Sequence, residues 1–224
     1  MTTAWQCGLC GQAVTELFWR RDKGSLRGRE YWHCTNCQLI QVPPTDRLDT
    51  AAEKALYDLH QNEPDDEGYR RFLNRTAEPL MARLPPGAQG LDFGSGPQPT
   101  LAAMLTTAGF PTTTYDLYYA DVPQRLQQMY DFVTCTEVVE HLGQPLQVFA
   151  QLLACLKPQG WLAIMTKRWL NQERFKTWFY LNDPTHISFF HLDTFSWLAE
   201  HFDLRIDYVA ADVVLLQRRP AKTP

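Results

Sequence analysis

From residue 87 onward, short runs of apolar and β-branched residues alternate with longer stretches whose apolar positions recur at helical spacing. That alternation is the pattern of a mostly parallel sheet covered by helices. It predicts strands over 90–93, 112–117, 130–136 and 161–166, and helices over 100–108, 144–156 and 194–201. The end of the chain reads differently. Two β-rich runs, 204–210 and 213–219, flank only Ala211-Asp212. They must pair antiparallel, because a parallel return needs a long crossover. Only twelve residues separate Leu117 from Tyr130, so the strand and helix expected there are abbreviated.

Ahead of this region, 48–60 carries Leu48, Ala52, Ala55, Leu56 and Leu59 on one helical stripe, and 69–84 carries Phe72, Leu73, Leu80 and Met81 on another. A polar break over 62–68 separates the two, and Pro85-Pro86-Gly87 ends the second. Residues 1–44 follow neither period. They are rich in Cys, Trp and Arg and close on Pro43-Pro44. Three segments result: 1–44, a helical connector over 45–86, and an α/β domain over 87–224.

Composition changes little in this picture. With 224 residues, 45% hydrophobic and 21% charged, the chain has the makeup of an ordinary globular protein. A net charge of −4 argues against nucleic-acid binding over the whole surface. No apolar run is long enough for a membrane span, and the first residues lack the pattern of a signal peptide, so a cytoplasmic location is expected. The six cysteines matter more for their placement. Cys7/Cys10 and Cys34/Cys37 are two C-x-x-C pairs with 23 residues between them, a spacing that can close a tetrahedral sulfur site. Structural zinc is the usual occupant, with iron in a rubredoxin-like site as the alternative. Cys135 and Cys155 stand alone in apolar segments and read as small buried hydrophobes.

The first strand of the α/β region runs into Asp92-Phe-Gly94-Ser95-Gly96-Pro-Gln98-Pro99 and then a helix. Glycine there lets the backbone turn sharply and approach a ligand. Asp116 lies 24 residues after Asp92, at the end of the second strand, where a carboxylate can hold both ribose hydroxyls of an adenosine. This geometry serves NAD as well as S-adenosylmethionine (SAM). Pro99 and the strand-end carboxylate of Asp92 lean toward the cationic ligand, because a carboxylate at that point would repel a pyrophosphate.

Taken in order, Asp-Phe-Gly-Ser-Gly, Tyr115-Asp116, Tyr130-Asp-Phe-Val-Thr-Cys-Thr-Glu-Val-Val-Glu-His-Leu142 and Leu156-Lys-Pro-Gln-Gly-Trp161 resemble the class I SAM-dependent methyltransferases, above all the group whose fourth strand runs into E-V-V/L-E-H. The resemblance spans residues 90 to about 202. It departs from the family pattern at Gln98 and Gln159, where glycines are usual. It implies a Rossmann-like sheet ending in an antiparallel hairpin, preceded here by a small zinc ribbon. It also implies that Asp92, Gly94, Ser95 and Gly96 line the methionine end of SAM and Asp116 the ribose, with Leu117 beside the adenine and Thr136 and Glu137 near the sulfonium.

Glu137, Glu140 and His141 would share one face if a helix starts right after the fourth strand. His186 lies after the fifth strand, where its segment can return over the same cleft. Two carboxylates and two imidazoles are a candidate divalent-cation site. The set resembles the magnesium site of small-RNA 2′-O-methyltransferases, and a related motif occurs in quinone-biosynthesis O-methyltransferases. In the other reading these side chains serve SAM, the substrate or the core without a metal. His141 and His186 are also the candidate catalytic bases.

Between the cysteine pairs, 13–21 and 29–33 read as arms of a hairpin whose tip, 20–29, holds five basic residues and one acid. Three function classes follow. The first is a methyltransferase acting on an oxygen or carbon of a small molecule. The second is an RNA methyltransferase docking through the basic tip. The third is a SAM-binding protein whose ribbon recruits a partner. The aromatics of 174–190 are candidates for an apolar substrate wall.

Overall fold

The computed structural model describes residues 5–14, 16–59 and 65–220. Residues 1–4, the end of the helix expected over 48–60 and part of the break expected over 62–68 lie outside the described residues. The fold begins with short strands: β1 (Trp5–Gln6), β2 (Ala13–Val14), β3 (Glu16–Arg20), β4 (Glu30–His33) and β5 (Ile40–Gln41). β1 and β2 pair antiparallel around the first cysteine pair. β3 and β4 form the expected hairpin.

Two helices follow, α1 (Thr50–Tyr57) and α2 (Glu67–Met81), each opened by an aspartate. Asp49 accepts from the Ala52 N–H at 2.9 Å and Asp66 from the Tyr69 N–H at 2.7 Å. α2 buries Leu73 and Leu80 of the expected stripe together with Thr76 and Ala77, while Phe72 and Met81 of that stripe are half-buried. The α/β region then runs β6 (Gly90–Phe93), α3 (Thr100–Thr107), β7 (Thr112–Tyr115), β8 (Tyr130–Thr136), α4 (Pro145–Ala154), β9 (Leu156–Met165), α5 (Gln172–Lys176), β10 (Ser188–Phe189), α6 (Leu192–His201), β11 (Leu204–Val209) and β12 (Val213–Arg218).

Among the described residues the main sheet has the order β11-β12-β9-β8-β6-β7. β12 is antiparallel to both neighbours, which is the hairpin expected at the end of the chain. Between β7 and β8 a 3-10 turn, Pro123–Gln127, stands where a strand and helix are usual, so the abbreviation read from the spacing is present. One strand departs from expectation. β9 starts at Leu156, five residues before the expected start. The Lys157-Pro158-Gln159-Gly160 turn is absorbed as an irregularity in the β8/β9 pairing, with Gln159 in the left-handed region at φ 61°.

A third sheet, in the order β10-β5-β4-β3, joins the N-terminal segment to a strand 147 residues later. Its faces are covered by Tyr31, Ile40, Val42, Trp169, Phe175, Tyr180, Ile187 and Phe189. The candidate substrate wall is therefore mostly core: Phe175, Tyr180, Phe189 and Phe190 are buried, Trp178 is half-buried and Phe179 is exposed. Cys135 and Cys155 are buried in the main core as small hydrophobes. No helix among the described residues is long and apolar enough to cross a membrane.

Candidate active site

β6 lies between β7 and β8, so the chain steps to one side of it and then to the other. The carboxyl end of β6 is the point where the winding reverses, the usual ligand crevice of such sheets. Gly94 and Gly96 take φ of 75° and 66° there. A Cβ on Gly94 would stand 2.3 Å from Val138 Cγ2, so the loop is pressed against the segment leaving β8. The Gly94 and Ser95 N–H groups donate to the Tyr115 carbonyl at 2.8 and 3.2 Å.

Asp116 closes the loop. One of its oxygens accepts from the Gly96 N–H at 2.8 Å, and the other from the Tyr118 and Tyr119 N–H groups at 2.8 and 3.1 Å. Asp116 and the glycine loop thus meet as expected, and Leu117 stands exposed beside them. Asp92 is buried and accepts from the Thr134 hydroxyl at 2.7 Å. Burial pushes its carboxyl up to about 6. Around this point Ser95 Oγ, Thr136 Oγ1 and Glu137 Oε1 are buried without hydrogen-bond partners. Three such orphans at the ends of adjacent strands form a polar cradle, because buried polar groups otherwise find partners. α2 lies over it. Asp92 and Glu137 both act electrostatically on Tyr69, and Arg75 acts on Glu137 and pairs with Asp212 of the terminal hairpin.

A helix does not start right after the fourth strand, the condition for Glu137, Glu140 and His141 to share a face. Glu137 instead sits in the left-handed region at φ 53°, and a 3-10 turn, Val139–His141, follows. A non-glycine residue there is strained by roughly 1–3 kcal/mol, a cost found most often at functional sites. The turn changes which side chains meet. Glu140, His141 and His186 each offer a ligand atom within 4.8 Å of the others, and Glu137 stands outside that group. Burial first, and then the neighbouring Glu140, raise the Glu137 carboxyl to about 8.

Glu140 is fully buried and accepts from the Thr166 hydroxyl at 3.0 Å and from the Tyr180 hydroxyl. His186 Nδ1 faces the Tyr180 carbonyl at 2.7 Å and His141 Nδ1 the Thr185 carbonyl at 3.2 Å. A carbonyl only accepts, so both Nδ1 atoms carry the proton and the Nε2 atoms are left as the basic ones. Burial holds the His186 imidazole below its usual range. The two rings lie 4.9 Å apart, and Tyr57 of α1 contacts His141 at 5.3 Å. Glu53 of α1 accepts from Tyr57 and Tyr118, so α1 bridges the turn that follows Asp116 and the histidine pair. Sequence reasoning missed this role of α1. Its tyrosine and glutamate, four residues apart on one face, were the available signal.

The four cysteines converge, with all sulfurs within 4.8 Å. The two knuckles are alike. Gly11 N–H donates to Cys7 O and Gln38 N–H to Cys34 O, and Gly11 and Gln38 both take positive φ. Cys7 and Cys34 each donate to the carbonyl five residues on, Gln12 and Leu39. The Leu9 N–H points at the Cys7 sulfur at 3.5 Å. Two matched knuckles and N–H···S contacts fit a thiolate-bound metal. Much of the basic hairpin tip, the candidate RNA contact, is engaged within the protein. Arg21 donates to the Leu181 carbonyl and the Asn182 side chain, Arg29 to the Pro184 carbonyl, and Arg20 pairs with Glu30. Three of five basic side chains are therefore occupied within the protein.

A family model described as a methyltransferase domain matches residues 59–209. The ubiquinone biosynthesis O-methyltransferase of Proteus mirabilis is 32% identical over 105 residues, which are 45% of this chain and 40% of that protein. A Vibrio vulnificus protein of the same name is 34% identical over 36% of this chain and 34% of its own length. The chain thus spans well under half the length of the curated relatives it matches. Among solved structures, the 1,6-didemethyltoxoflavin-N1-methyltransferase of Burkholderia thailandensis, bound to 1,6-didemethyltoxoflavin and S-adenosylhomocysteine (SAH), superposes with a TM-score of 0.52 at 15% identity, over 84% of this chain and 98% of that one. The magnesium protoporphyrin IX methyltransferase of Synechocystis PCC 6803 with bound SAH gives 0.52 at 14% identity, over 75% and 94%. At these identities the likeness is one of fold.

Proposed function

The chain belongs to the methyltransferase domain family, and on that premise we propose that it is an enzyme moving a methyl group from SAM to an oxygen or carbon of a small molecule. The observation that carries the reading is the junction of Gly94–Gly96 with Asp116 at the reversal point of the sheet, beside three unpartnered buried polar atoms. Asp116 and Leu117 suit the adenosine. Asp92, Gly94, Ser95, Gly96, Thr136 and Glu137 suit the methionine half and the sulfonium. Methyl transfer from an activated sulfonium asks mainly for alignment and, at a hydroxyl, for removal of a proton. His141 and His186 are the proposed bases, a reading supported by Nδ1 tied to a carbonyl and Nε2 left basic.

Glu140, His141 and His186 also suit a divalent cation, magnesium by the family resemblance. Each histidine donates its other ring proton to a backbone carbonyl, the support typical of ligating imidazoles. Such an ion would hold a hydroxyl and lower its pKa. The four cysteines are proposed to hold zinc, and a colourless purified protein with one zinc per chain is the expected result. The likeness to the ubiquinone O-methyltransferases favours an acceptor with neighbouring hydroxyls. The test is SAH formation from SAM with a panel of ortho-dihydroxy aromatics, before and after EDTA and again after adding Mg²⁺. Loss with the chelator and recovery with Mg²⁺ are expected. Full activity in EDTA removes the cation, and no turnover on any panel member removes this acceptor class.

A further inference from the structure

The N-terminal ribbon is wired into the histidine pair through one buried amide. Gln41 is 1% exposed. Its Oε1 accepts from the N–H of Gly8, next to the cysteine ligand Cys7, at 2.9 Å. Its Nε2 donates to the Ser188 hydroxyl at 2.8 Å, and that hydroxyl donates on to the Leu142 carbonyl at 2.6 Å. Ser188 is two residues past His186, and Leu142 is next to His141. The chain of bonds thus runs from the first cysteine knuckle to both histidine segments.

The backbone repeats the connection. β5 of the ribbon pairs with β10, aligning Gln41 with Ser188, and the Val42 N–H donates to the Ile187 carbonyl. The Ile187 N–H in turn donates to the Glu140 carbonyl at 2.9 Å. On the other side of the knuckle, the Leu146 N–H donates to the Gly8 carbonyl. A Cβ on Gly8 would stand 2.4 Å from the Gly143 carbonyl, so the knuckle touches the segment that leaves His141. From the hairpin tip, Arg21 and Arg29 hold the carbonyls of Leu181 and Pro184, on the stretch between Tyr180 and His186. Tyr180 and Thr185 are the residues whose carbonyls fix the two rings.

We propose that Gln41, acting through Ser188, is a positioning residue by which the metal-loaded ribbon sets the His141 and His186 rings. The ribbon is then part of the acceptor side of the active site and not a detachable docking module. The inference rests on the methyl-transfer reading above. It follows from the geometry because the rings are held by carbonyls of a segment that the ribbon braces at Leu181, Pro184, Ile187 and Ser188. A buried amide with both ends satisfied fixes the relative placement of the pieces it joins, since breaking either bond leaves a buried polar group unpaired. Misplacement of about 1 Å at a reacting group can cost on the order of a hundredfold in rate.

The test uses the full chain labelled with 15N at histidine, as wild type, Gln41→Leu and Ser188→Ala. His141→Gln and His186→Gln assign the signals. Ring 15N spectra, zinc content and SAH affinity are measured on the same samples. Wild type should show both rings in the single tautomer with the proton on Nδ1. Both positioning variants should keep one zinc per chain and wild-type SAH affinity, yet lose that single-tautomer signature at His141 and His186. Wild-type ring signals in both variants overturn the proposal, even if Gln41→Leu melts at a lower temperature, because packing alone would then be its role. Should Gln41→Leu fail to fold, Ser188→Ala decides by itself, since it removes a single hydroxyl. A wild type that binds zinc but not SAH refutes the methyl-transfer reading, and the inference with it.

Discussion

Asp92 and Asp116 are carboxylates of one cleft held in opposite ways. Asp116 accepts three backbone N–H groups, and Asp92 is enclosed with the Thr134 hydroxyl. Burial raises Asp92 to about 6, above the unfolded value of 3.8. Below the lower value both states hold the proton. As pH rises through the higher one, the folded state must ionise a buried acid, and the stability present in acid is lost. Asp92→Asn, which cannot ionise, should therefore raise the unfolding free energy at pH 7 by up to about 3 kcal/mol and flatten its fall between pH 4 and 7. Urea titrations at several pH values check this. The same change should weaken binding of a cationic sulfonium, a trade of stability against function. At this scale the sequence was informative where chemistry is local. Asp92, the glycines and Asp116 were legible because their spacing along strand, loop and strand sets their meeting. The fate of Arg21 and Arg29 was not. Their partners lie 160 and 155 residues away, and no local pattern distinguishes an arginine that braces a loop from one that faces solvent.

Among the elements, strands and helices of the α/β region were readable from their periods except the short α5 and β10, and the misreadings fall at two turns. Glu137-Val-Val-Glu-His has helical spacing, yet the chain leaves β8 through a left-handed Glu137 and a Val138 at φ −130°, ψ −43° before its 3-10 turn. Contact with the glycine loop decides this, since Val138 fills the space over Gly94. The consequence is the exchange of a Glu137/Glu140/His141 face for a Glu140/His141/His186 cluster. Gly94→Ala tests the contact. Its methyl would meet Val138 at 2.3 Å on a backbone at φ 75°, so a loss of about 1–3 kcal/mol in unfolding free energy is expected, with weaker SAH binding. Wild-type stability would mean that the loop and Val138 are not pressed together. At the second turn, β9 extends back to Leu156 because Gln159 takes a positive φ and lets the strand continue past Pro158.

Across the whole molecule, the boundary drawn near residue 44 separates stretches of sequence more than bodies in space. Cys7, Leu9, Trp32 and Leu39 of the ribbon belong to the same apolar cluster as Phe149, Phe190 and Phe195. Tyr31, Ile40 and Val42 pack with Phe175 and Phe189. Removal of residues 1–44 should strip that cover and yield an aggregating chain, read by light scattering, whereas a separate docking module would leave a soluble, SAH-binding remainder. The cleft at the end of β6 is where SAM is proposed to bind. Calorimetric titration of the full chain with SAH should give saturable one-to-one binding, weakened at least about tenfold in Asp116→Ala, which removes the acceptor of three backbone N–H groups along with the carboxylate for the ribose. No heat of binding in folded wild type, or equal binding in wild type and Asp116→Ala, would contradict the account.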